Sequence, residues 1–325
     1  MVNLETIVSL CKRRGFVFPG SDIYGGLAGT WDWGPLGVLI KENIKREWWR
    51  QMKKPHIYAL DSSILEGAKV LESSGHVQNF SDPLAECTKC KKRWRADEFG
   101  SSEFGSSTSN RKLNFLHCPE CAGELGEPRA FNMMFKTHIG AVEDASATVY
   151  LRPETAQGIF INFKNVVDAF HPKLPFGIAQ VGKAFRNEIT PRNFLFRARE
   201  FEQMELEYFC DPKNAEEYFK DIREMRMRWF VDLGIKQENL RFHDYGKDEL
   251  AHYSKATTDI EYRYGLSESG FSELEGIANR TDFDLKNHFP EHSWTGDDFI
   301  KGAEGFTPYV IEPSAGVDRA ALAFL

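Results

Sequence analysis

Residues Arg186 to Phe201 read RNEITPRNFLFRAREF, and no other stretch constrains the fold of this chain as strongly. Four arginines (Arg186, Arg192, Arg197 and Arg199), two glutamates (Glu188 and Glu200) and three phenylalanines are gathered there. They lie between two strand-like runs, 176–187 (FGIAQVGKAFRN) and 199–209 (REFEQMELEYF). Two such runs joined by a short loop predict an antiparallel hairpin. On the second run a period of two puts Phe201, Gln203, Glu205 and Glu207 on one face, and Glu202, Met204, Leu206 and Tyr208 on the other. The first face is polar for a core strand, so its groups must be satisfied inside the fold or face a ligand. Arginine is a planar cation that forks onto phosphates, and a phenylalanine face can stack on a purine. Most surface charge is only surface, but this clustering suits a grip on a nucleoside triphosphate.

The bulk numbers set bounds. A chain of 325 residues can bury one large core or two modest ones. Its 42% hydrophobic and 27% charged content is ordinary for a globular protein. No apolar run approaches the length of a membrane span. The N-terminal MVNLETIVSLCKRRG has helical spacing and no signal-peptide core, so a cytoplasmic location is expected. A net charge of −7 argues against a general nucleic-acid binder; contact with nucleic acid must use local basic patches.

Six cysteines in such a chain are poor candidates for disulfides. Four form two knuckles, Cys87-Thr-Lys-Cys90 and Cys118-Pro-Glu-Cys121, which suit tetrahedral zinc. Four thiolates leave no open coordination position, so the expected role is structural. The intervening segment is long, but its Gly/Ser-rich part, 100–110, adds loop at little entropic cost. Cys11 and Cys210 read as core residues.

Along the chain, 3–14 reads as a helix and 20–37 as an ordered loop rich in glycine and tryptophan. From Val38 a helical stripe of Ile40, Ile44, Trp48 and Met52 begins, with Trp48 and Trp49 suited to core or to a dimer interface. Residues 84–128, which hold the knuckles, read as an insertion. The run 151–161 reads as a tight turn opening a helix, with Pro153 in its first turn. A helix over 214–233 ends at Gly234. Strands are expected at 257–264, 273–279 and 308–313. An apolar helix begins beyond Gly316 and is cut in its second turn, which predicts a fragment or lost segments. Antiparallel strands with grouped helices indicate an α+β domain.

Nine blocks in order resemble the signature motifs of class II aminoacyl-tRNA synthetases, and among them the dimeric glycyl-tRNA synthetases. They are GSDIYGGLAGTWDWGPLG, the SGHV-N-F-DP block, Trp94-Arg95-Ala96-Asp97, LRPETAQGIF, GKAFRNEI-PR, REFEQME, KATTDIEY, ELEGIANRTDFDL and EPSAGVDR. The resemblance implies a catalytic domain over 1–83 and 129–325 with a helical excursion near 212–253. It also implies that the family's C-terminal anticodon-binding domain is absent here, and that the partners are glycine, ATP with magnesium, tRNA(Gly) and a second copy of the chain. By the same resemblance Arg186 and Arg319 are the catalytic pair. Arg186 holds the α-phosphate and the amino-acid carboxylate, while Arg319 packs on adenine and binds the γ-phosphate. Glu188 accepts from the adenine amino group, Phe201 stacks on the ring, and Arg197 reaches the outer phosphates. Asn187, Phe196, Leu274, Gly316 and Asp318 complete the ATP site, and Glu273 is the candidate magnesium ligand. Arg95, Glu154, Gln203, Glu205, Glu312 and Ser314 form the glycine pocket. Such acidity has its own logic. One carboxylate binds an ammonium, and several can crowd its Cα, so that a methyl group clashes or leaves a buried carboxylate unpaired. The function expected is glycine activation to glycyl-adenylate and transfer to tRNA. The alternative is a paralogue or core fragment that activates glycine without efficient charging.

Overall fold

The computed structural model describes residues 3–54, 56–96, 117–141, 147–246, 248–251, 253–267, 269–290 and 306–325. Helix α1 (Leu4–Arg14), β1 (Val17–Pro19) and β2 (Trp31–Trp33) precede the long helix α2 (Pro35–Met52). Next come β3 (Ile57–Ala59), β4 (Leu65–Gly67), the short helices α3 (Ala68–Ser73) and α4 (His76–Asn79), β5 (Ser81–Glu86) and β6 (Arg93–Arg95). After these follow β7 (Arg129–Asn132), β8 (Lys136–His138), β9 (Thr148–Leu151) and α5 (Ala156–Phe170). The hairpin is β10 (Phe176–Phe185) and β11 (Glu200–Cys210), and α6 (Ala215–Asp232) follows it. The remainder is β12 (Leu240–Asp244), β13 (Ala256–Tyr262), β14 (Ser272–Thr281), α7 (Phe283–His288), β15 (Tyr309–Gly316) and α8 (Val317–Phe324).

Seven of these strands form one sheet in the order β12-β13-β14-β15-β11-β10-β3, antiparallel except where β10 meets β3. This is the α+β architecture expected. The alternation on β11 divides the two cores. Met204 and Leu206 join Ile44, Trp48, Met52 and Phe230 under α2, α6 and α8. Phe209, on the opposite face, packs with Phe160, Phe163, Phe176 and Ile178 against α5. Between Phe209 and the hairpin loop that second face stays polar, and there the site forms. Trp48 is 1% exposed and serves the core rather than a free surface. Trp48→Ala is expected to cost about 3–5 kcal/mol of stability by cavity formation, read from denaturant unfolding.

Three local readings are corrected. The helix expected from Pro153 starts at Ala156, because the Pro153 carbonyl turns to accept from Arg186 Nε at 3.0 Å. The 212–253 excursion is helical over α6 and a short 3-10 turn, Gln237–Asn239; Leu240–Asp244 is the edge strand, paired with β13. With Leu240 its one buried residue, that strand carries no periodic signal. Arg199, grouped in the sequence with the triphosphate grip, is a tether: it donates to the carbonyls of Ala28 at 2.7 Å and Glu188 at 2.9 Å.

The tether explains the glycine-rich loop. Gly29 has φ +73°, its carbonyl accepts from Arg199 N at 2.7 Å, and a Cβ there would lie 2.6 Å from Pro191. Only glycine allows that approach. Trp31 then meets Phe194 edge to face at 4.7 Å, locking the loop onto the tip of the hairpin. Among the described residues no helix is long and apolar enough to cross a membrane.

Candidate active site

Two cavities open on the polar face of the sheet, and they share a wall. The first is bounded by Arg186, Glu188, Phe196, Arg197, Phe201 and Arg319, with Gly316 and Asp318 at its edge. The second is bounded by Glu154, Glu205 and Glu312, together with Tyr245, Tyr253 and Thr257. Arg186, Gln203, Glu273 and Ser314 line both. A cationic, aromatic chamber thus adjoins an acidic one, with an arginine where they meet.

The hairpin positions Arg186. Its guanidinium sits 5.3 Å from the Phe201 ring and 5.4 Å from the Phe80 ring, and Nε is held by the Pro153 carbonyl. Arg319 projects from the first turn of α8. Its Nε donates to the Phe196 carbonyl at 3.1 Å, and its guanidinium lies 4.5 Å from the Phe196 ring. Nη1 of Arg319 meets Glu273 Oε2 at 2.8 Å, and the Arg319 charge leads in holding the Glu273 carboxyl below its usual range. Buried Glu188 keeps Oε2 without a donor inside the fold, as suits an acceptor aimed at a ligand.

In the acidic chamber every carboxylate has a different neighbour. Glu154 Oε1 accepts from Gln157 Nε2 at 2.9 Å, and Oε2 lies 3.4 Å from His76 Nε2. Burial opposes its charge, but His76, Arg280 and Gln157 outweigh burial and hold the carboxyl well below the usual range. Glu205 accepts from the Thr155 hydroxyl and is also hydrogen-bonded to Ser314, with Arg152 the cation that feels its charge. Burial, then the charges of Glu312 and Glu154, push it up to about 8. Glu312 Oε2 accepts from Arg280 Nη1 at 2.5 Å; burial still raises it, against the pull of that arginine. Gln203 Nε2 donates to Ser314 Oγ at 3.3 Å.

Not every expected residue arrives here. Arg95 lies on β6, pairs with Asp82 at 2.7 Å and lines neither cavity; Asp97 of the same block is outside the described residues. Leu274 is 1% exposed and its side chain belongs to the core, so only its backbone could serve a ligand. Asn187 uses its N–H on the Met133 carbonyl at 2.6 Å and lines neither cavity. Asp318 accepts from Glu202 N at 2.7 Å and Trp33 Nε1 at 3.1 Å, which makes it a brace for α8 as much as a wall.

Conversely, the sequence reading missed Arg280, the buried cation that organises the pocket. It reaches Asp284 at 2.8 and 3.0 Å as well as Glu312, and lies 4.1 Å from the Tyr253 ring and 5.2 Å from the Phe160 ring. An arginine ending a strand-like run with an acid four residues on was the available signal, and it reads equally well as surface.

The knuckles converge elsewhere. All four Sγ atoms lie within 4.8 Å of one another, with Cys87–Cys121 at 3.5 Å and Cys90–Cys118 at 3.6 Å. Tetrahedral zinc with Zn–S near ~2.3 Å needs sulfurs about 3.8 Å apart, so the set fits. Backbone N–H groups, that of Cys90 first, bring the Cys87 thiol down to about 6, while, against the Lys92 N–H, burial and the neighbouring thiols push Cys90 up to about 12. A Cβ on Gly123 would stand 3.1 Å and 3.3 Å from Cys87 and Cys121 Sγ, so glycine is needed for this close wrap. Strands β5 and β7, on either side of the knuckles, pair Ser81 with Asn132.

A model of the tRNA synthetase class II core domain (G, H, P, S and T) matches residues 135–289. Fold, shared-wall site and match together define a class II tRNA synthetase core. Curated glycine-tRNA ligases are similar over the whole chain. That of Caldanaerobacter subterraneus subsp. tengcongensis is 53% identical over 100% of this chain and 74% of its own length. That of Bifidobacterium longum is 51% identical over 99% of this chain and 67% of its own, and that of Alkaliphilus oremlandii 52% identical over 99% and 73%. The chain belongs to the glycine-tRNA ligase family.

Proposed function

We propose that the chain catalyses the ATP-dependent joining of glycine to tRNA(Gly). The observation that carries this reading is Arg186 in the wall common to a nucleotide-shaped chamber and an acidic one. Glutamates 154, 205 and 312 take the glycine ammonium, which turns its carboxylate toward Arg186. ATP lies in the first chamber with adenine between Phe201 and Arg319, its amino group on Glu188, and its outer phosphates toward Arg197. A glycine carboxylate oxygen attacks the α-phosphorus; the bond to the bridging oxygen breaks and pyrophosphate leaves. Charge grows on the phosphorus oxygens as it does so, and Arg186 stands ready to stabilise it without reorganisation. The terminal hydroxyl of tRNA, entering over the 190–196 loop, then attacks the acyl carbon and displaces AMP. Magnesium would accompany ATP as part of the substrate complex, and Glu273, paired here with Arg319, is the candidate to ligate it. Glycine-dependent ATP–pyrophosphate exchange tests the reading, and exchange stimulated equally by alanine or serine would overturn it. No observation favours activation without charging.

We further propose that 84–128 is an insertion in a catalytic domain formed by 1–83 and 129–325, that its four cysteines hold zinc, and that the protein works as a cytoplasmic homodimer. Metal analysis should find about one zinc per chain, lost on Cys87→Ser together with the order of the knuckle. Unchanged zinc content in that variant would refute the four-thiolate site.

A further inference from the structure

Glu207 is 0% exposed on β11 and has no part in the reaction as derived above. The register that pairs Glu205 with Ser314 and Tyr208 with Ile311 brings Glu207 opposite Glu312 on β15. Carboxylate oxygens of Glu205, Glu207 and Glu312 lie within 4.8 Å of one another. Like charges directly opposite on neighbouring strands repel, and away from water the two cannot both ionise.

Arg280 decides which keeps its charge. It donates to Glu312 at 2.5 Å and spends its other nitrogens on Asp284. Both Glu207 oxygens are buried without a donor. The charged and titratable groups about it are Glu312 on β15, Arg280 on β14, Glu205 on its own strand and Asp284 on α7. From the other packed elements, β10 presents Ile178 opposite it, and α5 presents Phe160 and Phe163 to neighbouring Phe209. Among the described residues the one cation acting on Glu207 is Arg280, whose nitrogens are taken by Glu312 and Asp284. A carboxyl that meets no donor is satisfied by carrying a proton and donating it.

We propose that Glu207 is a positioning residue, held as the neutral acid, that donates to Glu312 and thereby fixes that carboxylate in the amino-acid pocket. Burial, then the Glu312 charge, push its carboxyl well above the usual range, which agrees with the geometry. Arg280 and Glu207 then hold Glu312 from two sides, so its remaining acceptor capacity points where an ammonium can use it. The inference rests on reading this chamber as the glycine site.

Glycine-dependent exchange in three chains tests it. Glu207→Gln keeps a donor of the same shape, and its glycine KM is expected to stay within about threefold of wild type. Glu207→Leu removes the donor and is expected to raise glycine KM about tenfold or more with ATP KM unchanged, the scale of a lost hydrogen bond to a charged group. A Gln variant as impaired as the Leu variant would mean that a charged carboxylate is required, and the proposal fails. It fails also if the Leu variant matches wild type. Should that variant not fold, the infrared difference spectrum of wild type minus Glu207→Gln at neutral pH decides. A protonated-carboxyl C=O band is expected, and ionised-carboxylate bands in its place overturn the proposal. Absence of glycine-dependent exchange in the wild type would sink the glycine reading instead, while the infrared result still reports on the proton.

Discussion

Arg186→Ala is expected to lower kcat/KM for glycine-dependent ATP–pyrophosphate exchange by about a thousandfold or more, because one preorganised donor to developing charge is worth about 10²–10³ and this guanidinium serves two anions. Its setting supports so large a figure. The Pro153 carbonyl holds Nε at 3.0 Å, and the rings of Phe201 and Phe80 flank the group at 5.3 and 5.4 Å. With Nε anchored, the Nη edge is the part that can fork onto an α-phosphate and a carboxylate together. Arg186→Lys is not expected to rescue, since a point charge on a flexible stem lacks the fork. The fold should survive, because the strand pairing beside Arg186 is made by backbone atoms of β10 and β11. Comparing exchange rates with thermal unfolding midpoints for the two variants checks this. An alanine variant within tenfold of wild type would remove Arg186 from the chemistry.

Arg186 was legible in the sequence for a local reason. A period of two needs only consecutive residues, so the hairpin and the polar face with Gln203 and Glu205 can be read directly from 199–209. Glu312 and Ser314, on a separate strand, came only through resemblance to a family, because nothing local says which sheet neighbour they face. The register of β11 with β15 supplies that neighbour. Arg280 and His76 were missed for the same reason: each acts on a pocket carboxylate more than thirty residues away, His76 on Glu154 and Arg280 on Glu312. Arg95, assigned to the pocket through its motif, pairs with Asp82 across β5 and β6. Local alternation showed that this face is polar, and only the tertiary fold showed how each charge on it is balanced.

That balance makes Glu205 the most pH-sensitive member of the pocket. Burial first, and the Glu312 and Glu154 charges next, push its carboxyl up to about 8 against the hydrogen bonds from Thr155 and Ser314. The free site therefore carries a proton there at neutral pH, and an ammonium needs that oxygen ionised. Glycine binding must then release the proton, so glycine KM is expected to fall about tenfold per pH unit as pH rises toward 8, then level off. ATP KM should stay flat over the same range, since the nucleotide chamber does not use Glu205. The stability consequence has the opposite sense. A raised carboxyl favours the fold while protonated, so its contribution is complete below pH ~4.5 and is lost as pH rises through about 8. Glycine offsets that loss by pairing with the ionised group and should raise the unfolding midpoint more at pH 8.5 than at 6.5. Glu205→Gln keeps the shape and removes the charge. It is expected to raise glycine KM about 10–100-fold at pH 8, the worth of a charge-assisted hydrogen bond, and to abolish this pH dependence. A glutamine variant that keeps the wild-type pH profile would place the titrating group elsewhere among the coupled carboxylates; equal effects on glycine and ATP KM would remove Glu205 from the amino-acid pocket.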